Sequence, residues 1–178
     1  QVYDLDSRKV WEKRVKVNVP EDGVANDLLK VEFPDDISQV HFINLVLTDN
    51  NGEKVGSNFY WRSNDRYEGS KTLTGPAVSG FEKLSRMKPA NVKVKVGGRR
   101  VENGRTFVDV TVRNASKTIA FFNRLQLQDG GGSAVRPSYY TDNFFTLMPG
   151  ENKVVTIETA SENVPDDVTV MFEGWNSG

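Results

Sequence analysis

The stretch Val108-Asp109-Val110-Thr111-Val112-Arg113 alternates apolar and polar side chains at every residue. Because successive side chains of a β-strand point to opposite faces, this period of two turns three valines toward a core and the polar residues toward water. Valine alternates with polar residues in the same way over residues 92–96 and 15–19. The pattern predicts half-buried strands in antiparallel sheets.

Strands are predicted along most of the remaining chain as well. They fall at Leu28 to Phe33, Val40 to Thr48, Glu53 to Trp61, Ile119 to Leu127, Asn152 to Thr159 and Val168 to Gly174. Clusters of Gly, Asn, Asp and Pro separate them, which is typical of a sandwich or barrel. Helical spacing is confined to Phe81, Leu84 and Met87, and it predicts a short connector in an all-β fold.

An internal repeat predicts how the strands divide. Five residues recur 80 positions later in the chain: Phe42, Leu45, Leu47, Asp49 and Gly52 return as Phe122, Leu125, Leu127, Asp129 and Gly132. Chance coincidence in β-rich sequence is the alternative, but the shared strand and Asp-x-x-Gly turn favour duplication. We therefore expect two tandem immunoglobulin-like β-sandwiches, over residues 1–80 and 81–178.

Composition limits the class of protein. The 178 residues are 37% hydrophobic and 26% charged with a net charge of -1, as expected for a folded globular surface. The chain has no cysteine, so each sandwich must be held by its core without disulfides or thiolate metal sites. No apolar run reaches the roughly 18 residues that cross a bilayer, so no membrane span is expected. The start at Gln1 suggests a cut fragment or a processed product.

Residues that could carry chemistry are few. His41, the one histidine, lies inside a predicted strand without local metal ligands or a nucleophile, and we interpret it as a structural residue. The carboxylate pairs Asp35-Asp36 and Asp166-Asp167 each follow a proline and are interpreted as turns, since a glycosidase needs two carboxyl groups facing each other across the substrate. Gly97-Gly98 and Gly130-Gly131-Gly132 lack the context of phosphate loops and are expected to be flexible turns. We predict no catalytic residue, metal or cofactor.

A basic hairpin is predicted around residues 93–105, where Lys93, Lys95, Arg99, Arg100 and Arg105 cluster. Glu102 interrupts the cluster, and no aromatic side chains are interleaved in a way that would stack on bases. We interpret it as a solvated strand face and expect no nucleic acid partner.

Two aromatic clusters are candidate binding residues, over residues 58–65 and 138–145. Aromatic faces beside Asp and Asn are suited to sugars, which offer apolar CH faces and rims of hydroxyl groups. The alternative is that alternate aromatic residues fill the core while Asp and Asn cap turns. The residues proposed for carbohydrate or interdomain contact are Trp61, Tyr139, Tyr140, Asp142 and Asn143.

The same segments resemble a known family. The run from Ile119 to Leu125 and the segment from Tyr140 to Glu151, with the pattern Tyr-x-Asp-Asn-Phe-Phe-x-Leu-x-Pro-Gly-Glu, resemble the C-terminal immunoglobulin-like domain of exo-β-D-glucosaminidases. These enzymes belong to glycoside hydrolase family 2, together with β-mannosidases and β-galactosidases. Residues 42–47 and 57–61 resemble the sandwich that precedes this domain, so the resemblance covers nearly the whole chain.

The resemblance implies a setting rather than an active site. In such enzymes the catalytic carboxylates lie on a (β/α)₈ barrel, and a chain of this length has no room for about 250 further residues. We expect a non-catalytic accessory module whose partners are the catalytic and N-terminal domains of the same polypeptide, with oligosaccharide as a candidate ligand. The parent would cleave terminal β-linked glucosamine, with mannose next, in a bacterial periplasm or outside the cell. The alternative is a free-standing carbohydrate-binding or adhesion module.

Overall fold

The computed structural model describes residues 1–64, 79–160, 164 and 167–177. The chain separates into two compact units, Gln1–Met87 and Lys88–Gly178, and each is described by itself. Nearly all regular structure in the described residues is antiparallel β-sheet, so the predicted all-β class is confirmed. The division into domains at residue 80 stays a prediction, because a compact unit in space is not by itself an independently folding domain.

The first unit is built on one sheet in its described part. Its strands are β1 (Val2–Tyr3), β2 (Lys9–Trp11), β3 (Val40–Thr48) and β4 (Lys54–Ser63), in the order β2-β1-β3-β4. β3 lies where the sequence predicts it, and β4 is displaced by one or two residues from the prediction. A 3₁₀-helix over Ser79–Arg86 provides the predicted connector, with Leu84 and the following Met87 buried.

Two predicted strands in the first unit do not form. Residues 12–38 contain only turns and irregular backbone, so the strands expected at residues 15–19 and at Leu28 to Phe33 are wrong. Alternation specifies which face a strand would bury, but a strand also needs a neighbour for its N–H and C=O groups. Among the described residues no strand pairs with this segment, and Val15, Val19, Val24 and Leu28 are exposed.

The second unit is a sandwich of two sheets. Its described strands are β5 (Val92–Glu102), β6 (Arg105–Asn114), β7 (Ala120–Gln128), β8 (Ser138–Tyr140), β9 (Phe145–Leu147), β10 (Asn152–Ala160) and β11 (Thr169–Glu173). One sheet has the order β5-β6-β10-β8 and the other β11-β7-β9. Five strands predicted for this unit are confirmed within a few residues. They are those at residues 92–96, Val108 to Val112, Ile119 to Leu127, Asn152 to Thr159 and Val168 to Gly174.

The core of this sandwich uses the alternating valines. Val108, Val110 and Val112 of β6 are buried against Leu125 and Leu127 of β7, within a cluster to which both sheets contribute. Every buried member of this cluster lies between Ala90 and Ile157. This core cluster of the second unit is therefore built from residues of that unit alone.

We expect residues 88–178 to fold without the first unit. Because the whole core cluster is internal, a polypeptide starting at Lys88 should unfold in one cooperative thermal transition with the circular dichroism of a β-sandwich. A gradual melt without a defined midpoint would show that the first unit supplies part of the core.

The repeated turns are the same in both units, as predicted. Asp49 Oδ1 accepts hydrogen bonds from the backbone N–H groups of Asn51 (2.9 Å) and Glu53 (2.8 Å). Asp129 Oδ1 does the same for Gly131 (3.0 Å) and Ser133 (2.8 Å). The glycines Gly52 and Gly132 adopt φ of 84° and 81°, a left-handed conformation that costs glycine nothing.

The repeat does not extend to burial. Leu125 and Leu127 are 1% exposed, whereas Leu45 and Leu47 are 39% and 58% exposed. The leucines of the second unit face an opposing sheet, and the described strands of the first unit form one sheet only. The repeated leucines therefore share their place in the strand but not their burial.

The basic hairpin is confirmed, but its glycine pair forms a bulge where the sequence analysis predicts a flexible turn. Gly97-Gly98 forms a bulge inside β5, where the register shifts between Val96 and Arg99. A Cβ on Gly97 would meet the carbonyl oxygen of Asp109 at 2.9 Å, so the close approach of backbone requires glycine there. Arg100 pairs with Asp109 at 2.7 Å, and Arg105 pairs with Glu158, which agrees with a solvated face.

Candidate functional site

An open cleft of about 550 Å³ lies on the second unit beside β7 and β8. Three of the five candidate residues, Tyr139, Tyr140 and Asn143, line it. Phe144 of the predicted aromatic cluster 138–145 also lines it, as do Arg124 and Arg136, which nothing in the sequence pattern marks as binding residues. The cleft therefore combines aromatic walls with two guanidinium groups.

The two tyrosines of β8 point to opposite faces. Tyr140 packs against the core cluster, and its hydroxyl oxygen accepts a hydrogen bond from the backbone N–H of Leu127 at 3.0 Å. Tyr139 is 60% exposed. This is the alternation that a strand imposes, so Tyr140 is structural and Tyr139 is the tyrosine available for a ligand or partner.

Asn143 fastens the loop before β9 to strand β7. Its Oδ1 accepts from the backbone N–H of Leu125 at 2.9 Å, and its Nδ2 donates to the carbonyl oxygen of Leu125 at 3.0 Å. The N–H of Phe144 donates to the same Oδ1 at 3.1 Å. The side-chain amide thus replaces a neighbouring strand for one residue of β7, and this use occupies both of its polar atoms.

Asp142 forms an ion pair with Lys153. Both side chains are partly exposed, and the ammonium group of Lys153 also lies 5.4 Å from the ring centroid of Phe145. The carboxylate is directed toward β10, and Asp142 is not part of the cleft lining.

Trp61 belongs to the first unit. It lies on β4 with Phe42 of β3 as its Cα partner, and 43% of it is exposed. Its neighbour Phe59 has its ring centroid 5.5 Å from that of Phe42. The five candidate residues are therefore divided between the two units.

Two phenylalanines beside the cleft have unusual backbone conformations. Phe122 has φ of 54° and Phe144 has φ of 56°, values that side-chain-bearing residues other than Asn and Asp rarely adopt. Phe122 sits in a bulge of β7, where Ala120 pairs with Leu147 and Asn123 with Phe145, so β7 has one residue more than β9. Each such conformation costs about 1 kcal/mol or more.

The strained backbone presents both rings to solvent. Phe122 is 39% exposed and Phe144 is 52% exposed, while Phe121 and Asn123 on either side of Phe122 are buried. The ring centroids of Phe122 and Phe144 are 5.3 Å apart. Phe122 and Phe42, which occupy equivalent positions of the repeat, differ in burial, because the bulge turns Phe122 outward whereas Phe42 is fully buried.

The charge of the cleft is positive. Arg124 Nη1 pairs with Glu173 at 2.8 Å, and Arg124 also donates to Gln126. Arg136 is exposed and has no ion pair with any of the described residues. The geometry suits a carboxylate or an electron-rich aromatic ring more than a cation.

The remaining candidates for chemistry offer no catalytic arrangement in the described part of the chain. Within it, no group of His, Asp and Glu side chains is placed to hold a metal ion. The Asp35-Asp36 pair lies in a turn, where the N–H of Ile37 donates to the carbonyl oxygen of Pro34 at 3.1 Å. Asp166 of the other pair lies outside the described residues. No described helix is long and apolar enough to span a membrane.

His41 is a buried histidine of β3. Its Nδ1 lies 3.3 Å from the carbonyl oxygen of Ser38, and its ring centroid is 5.0 Å from that of Phe33. Its Nε2 has no hydrogen-bond partner among the described residues. Burial lowers the pKa of His41 below the ordinary 6.5, and the positive charge of Arg62 lowers it further. This is the structural histidine that the sequence predicts.

The stability of the first unit is expected to fall in mild acid. The folded pKa of His41 is below the unfolded pKa, so the unfolded chain binds a proton first, and stability present above about pH 6.5 is lost as the pH decreases. Urea unfolding at pH about 7 and about 5, followed by NMR signals of Val40 and Phe42, measures this difference. His41→Leu should reduce the pH dependence, and an unchanged dependence in this variant would assign it to other groups.

The family model described as "Exo-beta-D-glucosaminidase Ig-fold domain" matches residues 72–177. This span includes all of the strands of the second unit and the cleft. It leaves most of the first unit outside the match.

Curated relatives and solved structures cover more of the chain. An exo-β-D-glucosaminidase of Amycolatopsis orientalis is 26% identical over 100% of the chain, and one of the fungus Arthroderma benhamiae is 33% identical over 72% of it. The chain spans 18% and 15% of these two relatives. The crystal structure of the exo-chitosanase CsxA of Amycolatopsis orientalis matches 99% of the chain with a TM-score of 0.83 at 23% identity, and the chain covers 22% of it.

These findings confirm the resemblance on which the sequence interpretation rests. The relatives include bacterial and fungal proteins, so a bacterial origin does not follow from them. The likeness to CsxA extends the shared fold to both units. This chain belongs to the immunoglobulin-fold domain family of exo-β-D-glucosaminidases.

Proposed function

We propose that the chain is a non-catalytic accessory part of an exo-β-glycosidase that removes terminal β-linked glucosamine, and that it packs against the catalytic domain and stabilises it. The observation that carries the proposal is the match of the family model over residues 72–177 together with a span of only 18% of a curated relative. The relatives are glycosidases, and the chain corresponds to a minor part of each.

The described residues offer a reason why catalysis resides elsewhere. Hydrolysis of a glycosidic bond uses two carboxyl groups about 5 to 10 Å apart across the substrate. Two carboxylates close in sequence or space to lining residues have cationic partners, since Asp142 pairs with Lys153 and Glu173 pairs with Arg124 of the lining. Glucosamine is favoured over mannose as the sugar because the relatives are named glucosaminidases and a solved CsxA complex contains PNP-β-D-glucosamine.

The activity test compares the isolated chain with the longer polypeptide that contains it. We expect release of p-nitrophenol from p-nitrophenyl β-D-glucosaminide by the longer polypeptide and none by the isolated chain. The matching β-D-mannoside should be hydrolysed much more slowly. Turnover by the isolated chain would overturn the accessory role.

A second candidate function is direct carbohydrate binding, which the exposed ring of Tyr139 in the open cleft favours. Against it, a protonated amino sugar would approach Arg136, which has no ion pair with the described residues, with the same sign of charge. Calorimetric titration of the isolated chain with glucosamine oligosaccharides distinguishes the two functions. Saturable binding that Tyr139→Ala abolishes would support the binding module, and absence of heat would support the accessory role.

A further inference from the structure

We infer that the second unit docks on a part of its parent polypeptide outside residues 1–178 through an exposed aromatic patch, defined as Phe122, Tyr139, Phe144 and Trp175 with the adjacent Arg136. The occupant is a surface segment of that polypeptide which carries apolar groups and a carboxylate. The inference rests on the proposed accessory role and names the surface of the second unit that makes the contact.

The members of the patch lie near one another and belong to one unit. The rings of Phe122 and Phe144 are in contact, and Phe144 and Tyr139 line the same cleft. The backbone N–H of Trp175 donates to the carbonyl oxygen of Phe121 at 2.9 Å, which places Trp175 next to the bulge. Tyr139, Phe144 and Trp175 are each more than half exposed. Contiguous exposed aromatic surface of this kind marks interaction sites.

The strained backbone of Phe122 and Phe144 supports a binding function for their two rings. Phe122 occupies the left-handed position of a bulge, which glycine usually fills, and Phe144 is left-handed as well. Neither ring contributes to the buried core cluster. Strained residues that add nothing to the core are expected where their exposed groups have a function.

The residue composition of the patch is suited to binding another protein surface. Trp, Tyr and Arg are the residues that contribute most to protein interfaces, and the patch contains all three. Arg136 has no carboxylate partner among the described residues, whereas Arg124 beside it is paired with Glu173. A carboxylate on the occupant would form an ion pair with Arg136. Charge therefore favours an acidic protein segment over a cationic amino sugar.

The length of the relatives indicates where this segment comes from. The chain covers 22% of the CsxA chain and 18% of a curated relative, so most of such a polypeptide is sequence beyond this chain. A covalently linked neighbour meets the patch at high effective concentration. A second copy of the chain has no such advantage.

The test uses Phe122→Asn and Phe144→Asn together, because asparagine tolerates the left-handed conformation and removes both rings. In the isolated chain we expect the Tm to stay within about 3 °C of the wild type or to rise. In the longer polypeptide we expect the half-life of glucosaminidase activity on heating to shorten about tenfold or more. Val101→Asn, an exposed apolar position on β5, is the matched control and should change neither quantity.

Arg136→Glu is a second variant that leaves the core untouched. It should shorten the half-life of the longer polypeptide, whereas the control Arg99→Glu on β5 should not. If the phenylalanine variant does not fold in isolation, the arginine pair decides the question.

The outcomes separate the inference from the proposed function. If deletion of this chain shortens the half-life but the patch variants do not, the docking face is wrong and the accessory role stands. If deletion has no effect, both are wrong. Self-association of the isolated chain that the patch variants abolish would also overturn the inference, since the occupant would then be a second copy.

Discussion

Asn143→Ala is expected to lower the free energy of unfolding of the second unit by about 3 kcal/mol. The substitution leaves the N–H and C=O of Leu125 without their partners in a strand where Leu125 is 1% exposed. Each buried polar group left unpaired costs about 1 to 3 kcal/mol, and the loop before β9 loses its attachment to β7. Urea denaturation of residues 88–178 measures the change.

The neighbouring residue is the control for this prediction. Asp142→Ala removes only a partly exposed ion pair with Lys153 and should cost less than about 1 kcal/mol. Equal losses from the two variants would contradict the assignment of Asn143 as the structural member of the pair.

Tyr140→Ala is expected to cost about 3 kcal/mol, whereas Tyr139→Ala should cost less than about 0.5 kcal/mol. Tyr140 packs against the core and accepts a hydrogen bond from Leu127, but Tyr139 projects from the opposite face of β8. The two variants remove the same type of side chain from adjacent positions of the strand. A loss from Tyr139→Ala as large as that from Tyr140→Ala would contradict the described orientation of β8.

A strand is predicted correctly from alternating hydrophobic residues where the folded chain also places a neighbouring strand beside it. Val108, Val110 and Val112 have the period of two and also have β5 and β10 on either side. Val15, Val17 and Val19 have the same period, but no strand of the described residues lies beside them. Period alone does not reveal whether a neighbour exists, because pairing is a long-range property of the fold.

The candidate site is predictable only in part, for a different reason. An asparagine that binds a ligand and one that completes a β-ladder have the same residue type and the same aromatic neighbours. Asn143, like Asn123, which donates to the carbonyl oxygens of Ala120 (2.8 Å) and Phe145 (3.0 Å), is structural. The repeat aligns Phe122 with Phe42 but does not reveal that Phe122 is turned outward, because the extra residue of the bulge has no signature in the hydrophobic pattern.

The proposed role of this chain is to stabilise an exo-β-glucosaminidase without taking part in its chemistry. The half-life on heating of the longer polypeptide with and without residues 1–178, together with its kcat before heating, tests that role directly. We expect deletion to shorten the half-life about tenfold or more while the surviving enzyme keeps its kcat. Loss of kcat with an unchanged half-life would contradict this role and place residues of this chain in the active site.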